Sequence, residues 1–346
     1  MSVTSGKAGL SLTQEILSYL GLANKTAAWG TLGTLRTFLS FSVEKDVQRL
    51  LRAIAGQGVD RNAIMDVLTN RSREQRQVIS RAFQERTKQD LLTSLQAAVS
   101  GNLERLVVAL LKPAAHFDAQ ELRTALKDSG SAEDVAMEIL ATRAPPQLQE
   151  CLAVYKHDFQ VEAEEDIKSE TSGIVQDLLL ALAKGGRESS SEVIDYHLAE
   201  EDVQALKQAE GPGTEGTWVL ILTQRNPEHL LRVFEQYQRC TGHDLEQTVQ
   251  NRFHGDAQMA LLSLASVIRN TPLYFAEKLH QALLQETEPN YQVLTRILIS
   301  RSETDLLSIR AEFRRKFGKS LYSALQDAVK GDCRLALLAL CRAEDL

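Results

Sequence analysis

The sequence predicts an all-α protein built from four copies of one helical unit. Arginine, glycine and aromatic residues each recur at intervals of 72, 82 and 76 residues along a chain of 346. Three residue types that keep one set of spacings indicate a repeated structural unit. The recurring positions are Arg71, Arg143, Arg225 and Arg301; Gly101, Gly173, Gly255 and Gly331; and Phe83, Tyr155, Tyr237 and Phe313.

The segment after each repeat glycine predicts the last helix of its unit. Apolar or small residues stand 2, 5, 6, 9 and 10 positions after the glycine in all four copies. These steps of three and four are the buried face of an α-helix. In the first copy the stripe is Leu103, Leu106, Val107, Leu110 and Leu111.

Four further helices are predicted before that one, so each copy holds about five. The first carries a leucine, the second precedes the repeat arginine, the third surrounds the repeat aromatic residue, and the fourth ends near the glycine. We expect the aromatic residues to anchor the core and the arginines to bind carbonyls between helices. The first-helix leucines are Leu50, Leu122, Leu206 and Leu279.

The boundaries between copies follow from turn-forming residues. Pro113 should end the last helix of the first copy, and the Gly/Ser-rich stretch 185–196 accounts for the longer second interval. The predicted division is a head of residues 1–40, repeats 41–112, 113–184, 197–267 and 271–342, and a linker 185–196.

Charge and apolar pattern exclude several classes of protein. A net charge of −7 argues against nucleic-acid binding and against simple electrostatic adhesion to an anionic membrane. No apolar run reaches the roughly 18 residues of a membrane span, and no signal-peptide pattern begins the chain, so we expect a cytoplasmic location. Phosphate-binding, dinucleotide and zinc-protease motifs are absent. We therefore expect no enzymatic role.

Three segments resemble one known family. AIAGQGVDRNAIMDVLTNRSREQRQVISRAF (53–83) is similar to the annexin repeat, and NTPLYFAEKLHQAL (270–283) and SRSETDLLSIRAEFRRKFGKSLYSAL (300–325) resemble its fourth copy. The resemblance covers about residues 41–343. It implies a curved disc of four five-helix bundles, with calcium loops on the convex face that bridge the protein to acidic phospholipid. It implies no catalytic activity.

The resemblance also implies a calcium-closing carboxylate in each repeat, about forty residues after a glycine loop. That slot lies three residues before the repeat glycine. Calcium binds about six to eight oxygens, and a bidentate carboxylate largely sets its affinity. The four occupants are Ala98, Glu170, Arg252 and Ala328.

Repeat two is the one copy that keeps the acid. Leu126, Asp128, Gly130 and Glu170 form its candidate calcium site, which we expect to be weak because Asp128 stands where the first loop glycine belongs. Asp128 either strains the loop or adds a carboxylate oxygen. Alternatively, Glu170 is a helix-end acid on a solvated surface.

The sequence predicts that the other three sites are lost. Repeat one keeps the loop Gly56–Asp60 but has Ala98, and repeat four lacks both glycines and has Ala328. Arg252 opposes a divalent ion, and either replaces it by pairing directly with a lipid phosphate or is solvated or bridged to a neighbouring acid.

The head contains a short amphipathic helix whose apolar face is Leu12, Ile16, Leu17 and Leu20. A helix of this length needs a groove to lie in. In some annexins a similar segment inserts into a small dimeric EF-hand protein. The alternative is docking on the protein's own disc, and membrane insertion is disfavoured because the polar face lacks Lys and Arg.

Taken together, the sequence predicts an annexin-type protein that associates peripherally with acidic phospholipid, with weak or absent calcium dependence. The competing hypothesis is a calcium-independent interaction or receptor-like scaffold that acts through the head helix or the disc surface. Export to the cell surface without a signal peptide, as for some annexins, stays open.

Overall fold

The structure, a computed structural model, describes residues 32–128, 132–190 and 193–343. Within these ranges the chain forms twenty helices and no strand, which confirms the all-α prediction.

The twenty helices are five for each repeat. Repeat one contains α1 Val43–Ala55, α2 Arg61–Thr69, α3 Arg73–Thr87, α4 Leu91–Ala98 and α5 Gly101–Leu111. Repeat two contains α6 Ala114–Lys127, α7 Ala132–Thr142, α8 Pro145–Phe159, α9 Ala163–Glu170 and α10 Gly173–Lys184. Repeat three contains α11 Tyr196–Gln208, α12 Glu215–Gln224, α13 Pro227–Thr241, α14 Leu245–Arg252 and α15 Gly255–Arg269. Repeat four contains α16 Thr271–Leu283, α17 Tyr291–Arg301, α18 Leu306–Phe317, α19 Leu321–Ala328 and α20 Cys333–Cys341.

Many helix starts are set by a capping side chain. Asp60, Asp90, Asp195 and Asp244 each accept a hydrogen bond from the backbone N–H three residues later, at the starts of α2, α4, α11 and α14. Such a bond satisfies one of the N–H groups that the first helical turn leaves without a partner. These aspartates therefore mark where first, second and fourth helices of the repeats begin.

The repeat glycines are required by the backbone. Gly101, Gly173, Gly255 and Gly331 have φ of 64°, 64°, 61° and 73°, in the left-handed region. A Cβ added at any of them would meet no atom within 4 Å, so conformation and not lack of space demands glycine. The first three begin the last helix of their repeats, and α20 begins two residues after Gly331.

The repeat arginines bind carboxylates, and our expectation of carbonyl partners was wrong. Nε and Nη2 of Arg143 donate to the two carboxylate oxygens of Asp118 at 2.8 and 3.0 Å. The same two-pronged pairs join Arg71 to Asp46, Arg225 to Asp202 and Arg301 to Asp305. The first three tie the arginine to the first helix of its repeat, which carries the aspartate.

The described chain divides into two compact units, residues 32–113 with 275–343, and residues 114–274. In the second unit one continuous apolar core runs through repeats two and three. The predicted first-helix leucines and the aromatic anchors Phe83, Tyr155, Tyr237 and Phe313 are all buried, as expected. No helix in the described ranges is long and apolar enough to span a bilayer.

Candidate calcium-binding loops

The four closing slots occupy equivalent places in the structure. Each is the last residue of the fourth helix of its repeat, where α4, α9, α14 and α19 end. In repeat two the slot residue accepts a hydrogen bond from the last residue of the first helix, and in repeat three it donates to the connection between the first two helices. These slot residues are Ala98, Glu170, Arg252 and Ala328.

In repeat two, the candidate calcium carboxylate is held by a lysine. Nζ of Lys127, the last residue of α6, lies 2.7 Å from Oε1 of Glu170 and 2.9 Å from Oδ1 of Asp166. Asp166 also accepts hydrogen bonds from Arg123 and from the hydroxyl of Tyr155. The ammonium group thus lies between two carboxylates.

This ion pair favours the ionised acid. The hydrogen bond from Lys127, followed by one from Ser169, holds the pKa of Glu170 below its ordinary value. The same carboxylates raise the pKa of Lys127, with Glu170 the larger cause. A divalent ion at Glu170 would therefore compete with Lys127 for one of the two carboxylate oxygens.

The remaining candidate ligands of repeat two are only partly described. Leu126 is buried, and Asp128 is exposed directly after α6. Gly130 lies outside the described residues. The predicted set of Leu126, Asp128, Gly130 and Glu170 therefore stays a prediction.

In repeat three, a guanidinium group lies on the loop oxygens. Nη2 of Arg252 donates to the carbonyl oxygen of Gly211 at 2.9 Å and to Oγ1 of Thr214 at 2.7 Å. The carbonyl belongs to the glycine loop that the annexin resemblance assigns to calcium. Here the chain's own cation uses that oxygen.

Aromatic rings surround the same guanidinium. Its central carbon lies 4.8 Å from the ring centroid of Phe253 and 5.8 Å from that of Trp218, which suits a cation–π interaction. Nη1 is shielded from solvent and has no hydrogen-bond partner in the described part of the chain. Arg252 is therefore integrated into its loop, which corrects the expectation that it is solvated or bridged to an acid.

Repeat one keeps its glycine loop but offers no closing oxygen. The carbonyl of Gly56 accepts a hydrogen bond from the N–H of Gly58 at 2.7 Å, and the Asp60 side chain caps α2. Ala98 has no polar side-chain atom to complete a site. The predicted loss of this site stays a prediction.

Repeat four has no carboxylate at its closing slot. Ala328 ends α19, and the neighbouring Asp327 forms an ion pair with Lys319. Across the described residues, no group of three or more His, Cys, Asp or Glu side chains could hold a metal.

Sequence reasoning missed the side chains that contact Glu170 and its neighbour Asp166. From the sequence, no role was assigned to Lys127, Asp166 or Arg123, although Lys127 immediately precedes the altered loop position Asp128. A cation beside a degraded loop was the available signal. The predicted partner-helix face of Leu12, Ile16, Leu17 and Leu20 lies outside the described residues.

Comparison with known proteins identifies what the chain is similar to. A sequence model of the family described as Annexin matches residues 45–110, 117–182, 201–264 and 274–340. The chain is 83% identical to a Bos taurus protein and 81% identical to a Homo sapiens protein, both named Annexin A9, over 346 residues and 100% of each chain. Among solved structures, Annexin III superposes with a TM-score of 0.88 at 36% identity, covering 92% of this chain and 99% of its own.

Proposed function

Because the chain belongs to the annexin family, we propose that it associates peripherally with acidic phospholipid membranes with little or no dependence on calcium. Annexins generally bind phospholipid with calcium, so the proposed membrane association rests on family membership. The loss of calcium dependence comes from this chain's own residues. The proposed role is not enzymatic.

One observation carries the proposal: in two repeats the chain supplies its own cation where the family resemblance places the metal. Arg252 binds the Gly211 carbonyl, and Lys127 binds Glu170. At about 6 Å, a guanidinium and a divalent ion repel by roughly 5 kcal/mol at an effective dielectric of about 20. Calcium would have to expel these side chains before it could bind.

A direct contact between Arg252 and a lipid phosphate stays a second part of the proposal. Its support is chemical, since guanidinium groups pair well with phosphate oxygens. Against it stand the two hydrogen bonds to Gly211 and Thr214, which the contact would have to share or break. A separate variant, Arg252→Gln, therefore tests this contact.

Co-sedimentation with phosphatidylserine vesicles tests the proposal, in millimolar calcium and in chelator. We expect similar pelleting in both conditions. Calcium-dependent pelleting that Glu170→Ala abolishes would contradict it and would show a working site in repeat two. Absence of pelleting in both conditions would favour the scaffold hypothesis.

Arg252→Gln separates the phosphate contact from the rest. If Arg252 binds lipid phosphate, this variant pellets less in chelator, and its wild-type counterpart loses pelleting as salt rises. If the guanidinium only holds the loop, pelleting in chelator stays the same. Lys207→Gln, an exchange in α11 that removes the same charge, is the matched control.

We also propose, from the sequence of the head, that its amphipathic helix binds a small dimeric EF-hand protein or the protein's own surface. Co-purification of full-length protein with such a partner tests this, and Ile16→Asp with Leu20→Asp should abolish it. Retention of the partner by this double variant would overturn the assignment to Leu12, Ile16, Leu17 and Leu20.

A further inference from the structure

A cavity of about 630 Å³ lies in the second unit, beside the extra residues that lengthen the interval between repeats two and three. Its walls come from the ends of α7, α10 and α15 and from the start of α8. They include Leu148, Leu152, Leu182, Val267 and Ile268. Its volume is within the range of about 300–1,000 Å³ that is usual for small-molecule sites.

The cover of this cavity is residues 185–190, here called the inter-repeat segment. Arg187 donates from Nη1 to the carbonyl of Arg225 at 2.7 Å and from Nη2 to that of Leu222 at 2.9 Å. The backbone N–H of Glu188 donates to the Gln224 carbonyl at 2.8 Å. These bonds fix the segment to the C-terminal end of α12.

No described hydrogen bond fixes the inter-repeat segment to α7 or α8 on the other side. Apolar side chains of α8, among them Leu148 and Leu152, face the cavity there instead. The inter-repeat segment is thus hydrogen-bonded to α12, and apolar side chains of α8 line the cavity as well.

The charges at the cavity are unbalanced. Arg143 also lines it, but its charge is matched by Asp118. Glu188 lines it too and lies 3.4 Å from Arg225, which already pairs with Asp202, so Lys184 and Arg187 exceed the Glu188 charge by one. Arg187 binds carbonyl groups and no carboxylate, and burial lowers its pKa to about 10. Lys184, exposed at the end of α10, has no ion-pair partner in the described residues.

Two cations without carboxylate partners therefore line an apolar cavity. A neutral apolar ligand would leave the Arg187 charge uncompensated, which is costly in a partly desolvated place. A ligand with an anionic head and a single apolar chain would satisfy both features. We propose that this cavity binds a single-chain anionic amphiphile, with its acyl chain against Leu148 and Leu152 and its head group near Lys184 and Arg187.

This site is independent of the calcium loops and of membrane association. The head-group chemistry is shared by a free fatty acid and a lysophospholipid with a phosphate head. Both present an anion on one apolar chain, so both are used as probes. Binding should be the same in calcium and in chelator.

The test is titration of the full-length protein with a fluorescent long-chain fatty acid, below its micelle concentration, with displacement by oleate or lysophosphatidic acid. We expect one saturable site with micromolar affinity. Leu152→Trp, which fills the cavity, should weaken binding about tenfold or more. Leu231→Trp is the matched control, because Leu231 is 42% exposed on α13 and does not line the cavity.

Lys184→Glu tests the head group. It should weaken fatty-acid binding about fivefold and change binding of oleyl alcohol, the neutral analogue, by less than about twofold. Equal loss for both ligands would overturn the placement of the head group. Circular dichroism and the melting temperature of each variant establish that it is folded.

Two results would overturn the proposal outright. One is wild-type protein that shows no saturable binding of either monomeric probe and responds only to vesicles. The other is folded Leu152→Trp protein that binds as tightly as the wild type. Preference between oleate and lysophosphatidic acid, measured as the ratio of their displacement constants, identifies the source of the anion.

Discussion

At the scale of single residues, Arg252 is the side chain that occupies the loop of repeat three. Its guanidinium donates to Gly211 and Thr214 and is flanked by Phe253 and Trp218. The annexin resemblance assigns the same carbonyl to calcium, and Coulomb repulsion would oppose the binding of both cations together. The third loop is therefore closed by a bond within the chain.

Arg252→Glu should recover a metal site in repeat three, because it removes the cation and supplies the carboxylate that the family resemblance places there. Terbium, a calcium substitute, would then bind close to Trp218, one of two tryptophans in the chain. We expect terbium luminescence excited through tryptophan in this variant, with little in the wild type.

Arg252→Gln is the control, since it removes the charge without adding a carboxylate. Luminescence that is equal in the Gln and Glu variants would mean that the cation alone blocked the site. Luminescence absent from both would show that the loop Glu210–Thr214 cannot hold a metal, and that Arg252 is not what prevents it.

At the scale of helices, the Asp166 cluster joins three elements of repeat two. Asp166 on α9 bonds to Arg123 and Lys127 on α6 and to Tyr155 on α8. Burial raises the pKa of Asp166, but hydrogen bonds from Tyr155, Lys127 and Arg123 lower it by more, so the pKa lies below its ordinary value. The cluster is therefore a stabilising ionic link between helices.

We expect the contribution of Asp166 to stability to depend on pH. A carboxyl whose pKa is lowered on folding stabilises the protein fully above its unfolded-state pKa of about 3.9, and that contribution is lost as pH falls through the folded-state pKa. Asp166→Asn should lower the free energy of unfolding by about 2 kcal/mol at pH 7. The difference from wild type should shrink below about pH 4.

Urea unfolding of both proteins from pH 7 down to pH 3 measures this difference. Asp177→Asn, at an exposed position of α10, is the control and should change stability little at any pH. A difference between Asp166→Asn and wild type that stays constant throughout would show that Asp166 acts through packing and not through its charge.

At the scale of the whole molecule, each of the two units contains a bidentate ion pair between a repeat arginine and an aspartate. Asp46 serves Arg71 in the first unit, and Asp118 serves Arg143 in the second. Removal of one partner from a buried ion pair leaves an uncompensated charge, which costs about 3–5 kcal/mol. The loss of stability should therefore be largest in the unit that contains the broken pair.

Asp118→Ala is therefore expected to increase amide hydrogen exchange mainly within residues 114–274, as measured by mass spectrometry. Asp46→Ala is the matched variant and should do so mainly within residues 32–113 and 275–343. Equal loss of protection in both units from either variant would mean that the whole chain opens as one cooperative unit.

The sequence predicted the helical class and the five-helix repeat, because both depend on local period and spacing. The closing slots came from the annexin resemblance. The sequence did not predict the partners of charged side chains. The repeat arginines were assigned to carbonyls, although Asp46 and Asp118 precede Arg71 and Arg143 by the same 25 residues. Choosing between such acceptors needs the distance between helices, which periodicity does not contain.

The bond between Arg252 and the third loop has a consequence for signalling. A side chain is tethered beside its acceptor, so its effective concentration there is on the order of millimolar or higher and does not change with the surroundings. A diffusing ion binds in proportion to its concentration, and thereby reports it. The occupancy of the loop by Arg252 does not vary with the calcium concentration. The conformation of repeat three should therefore be the same in resting and in calcium-stimulated cells.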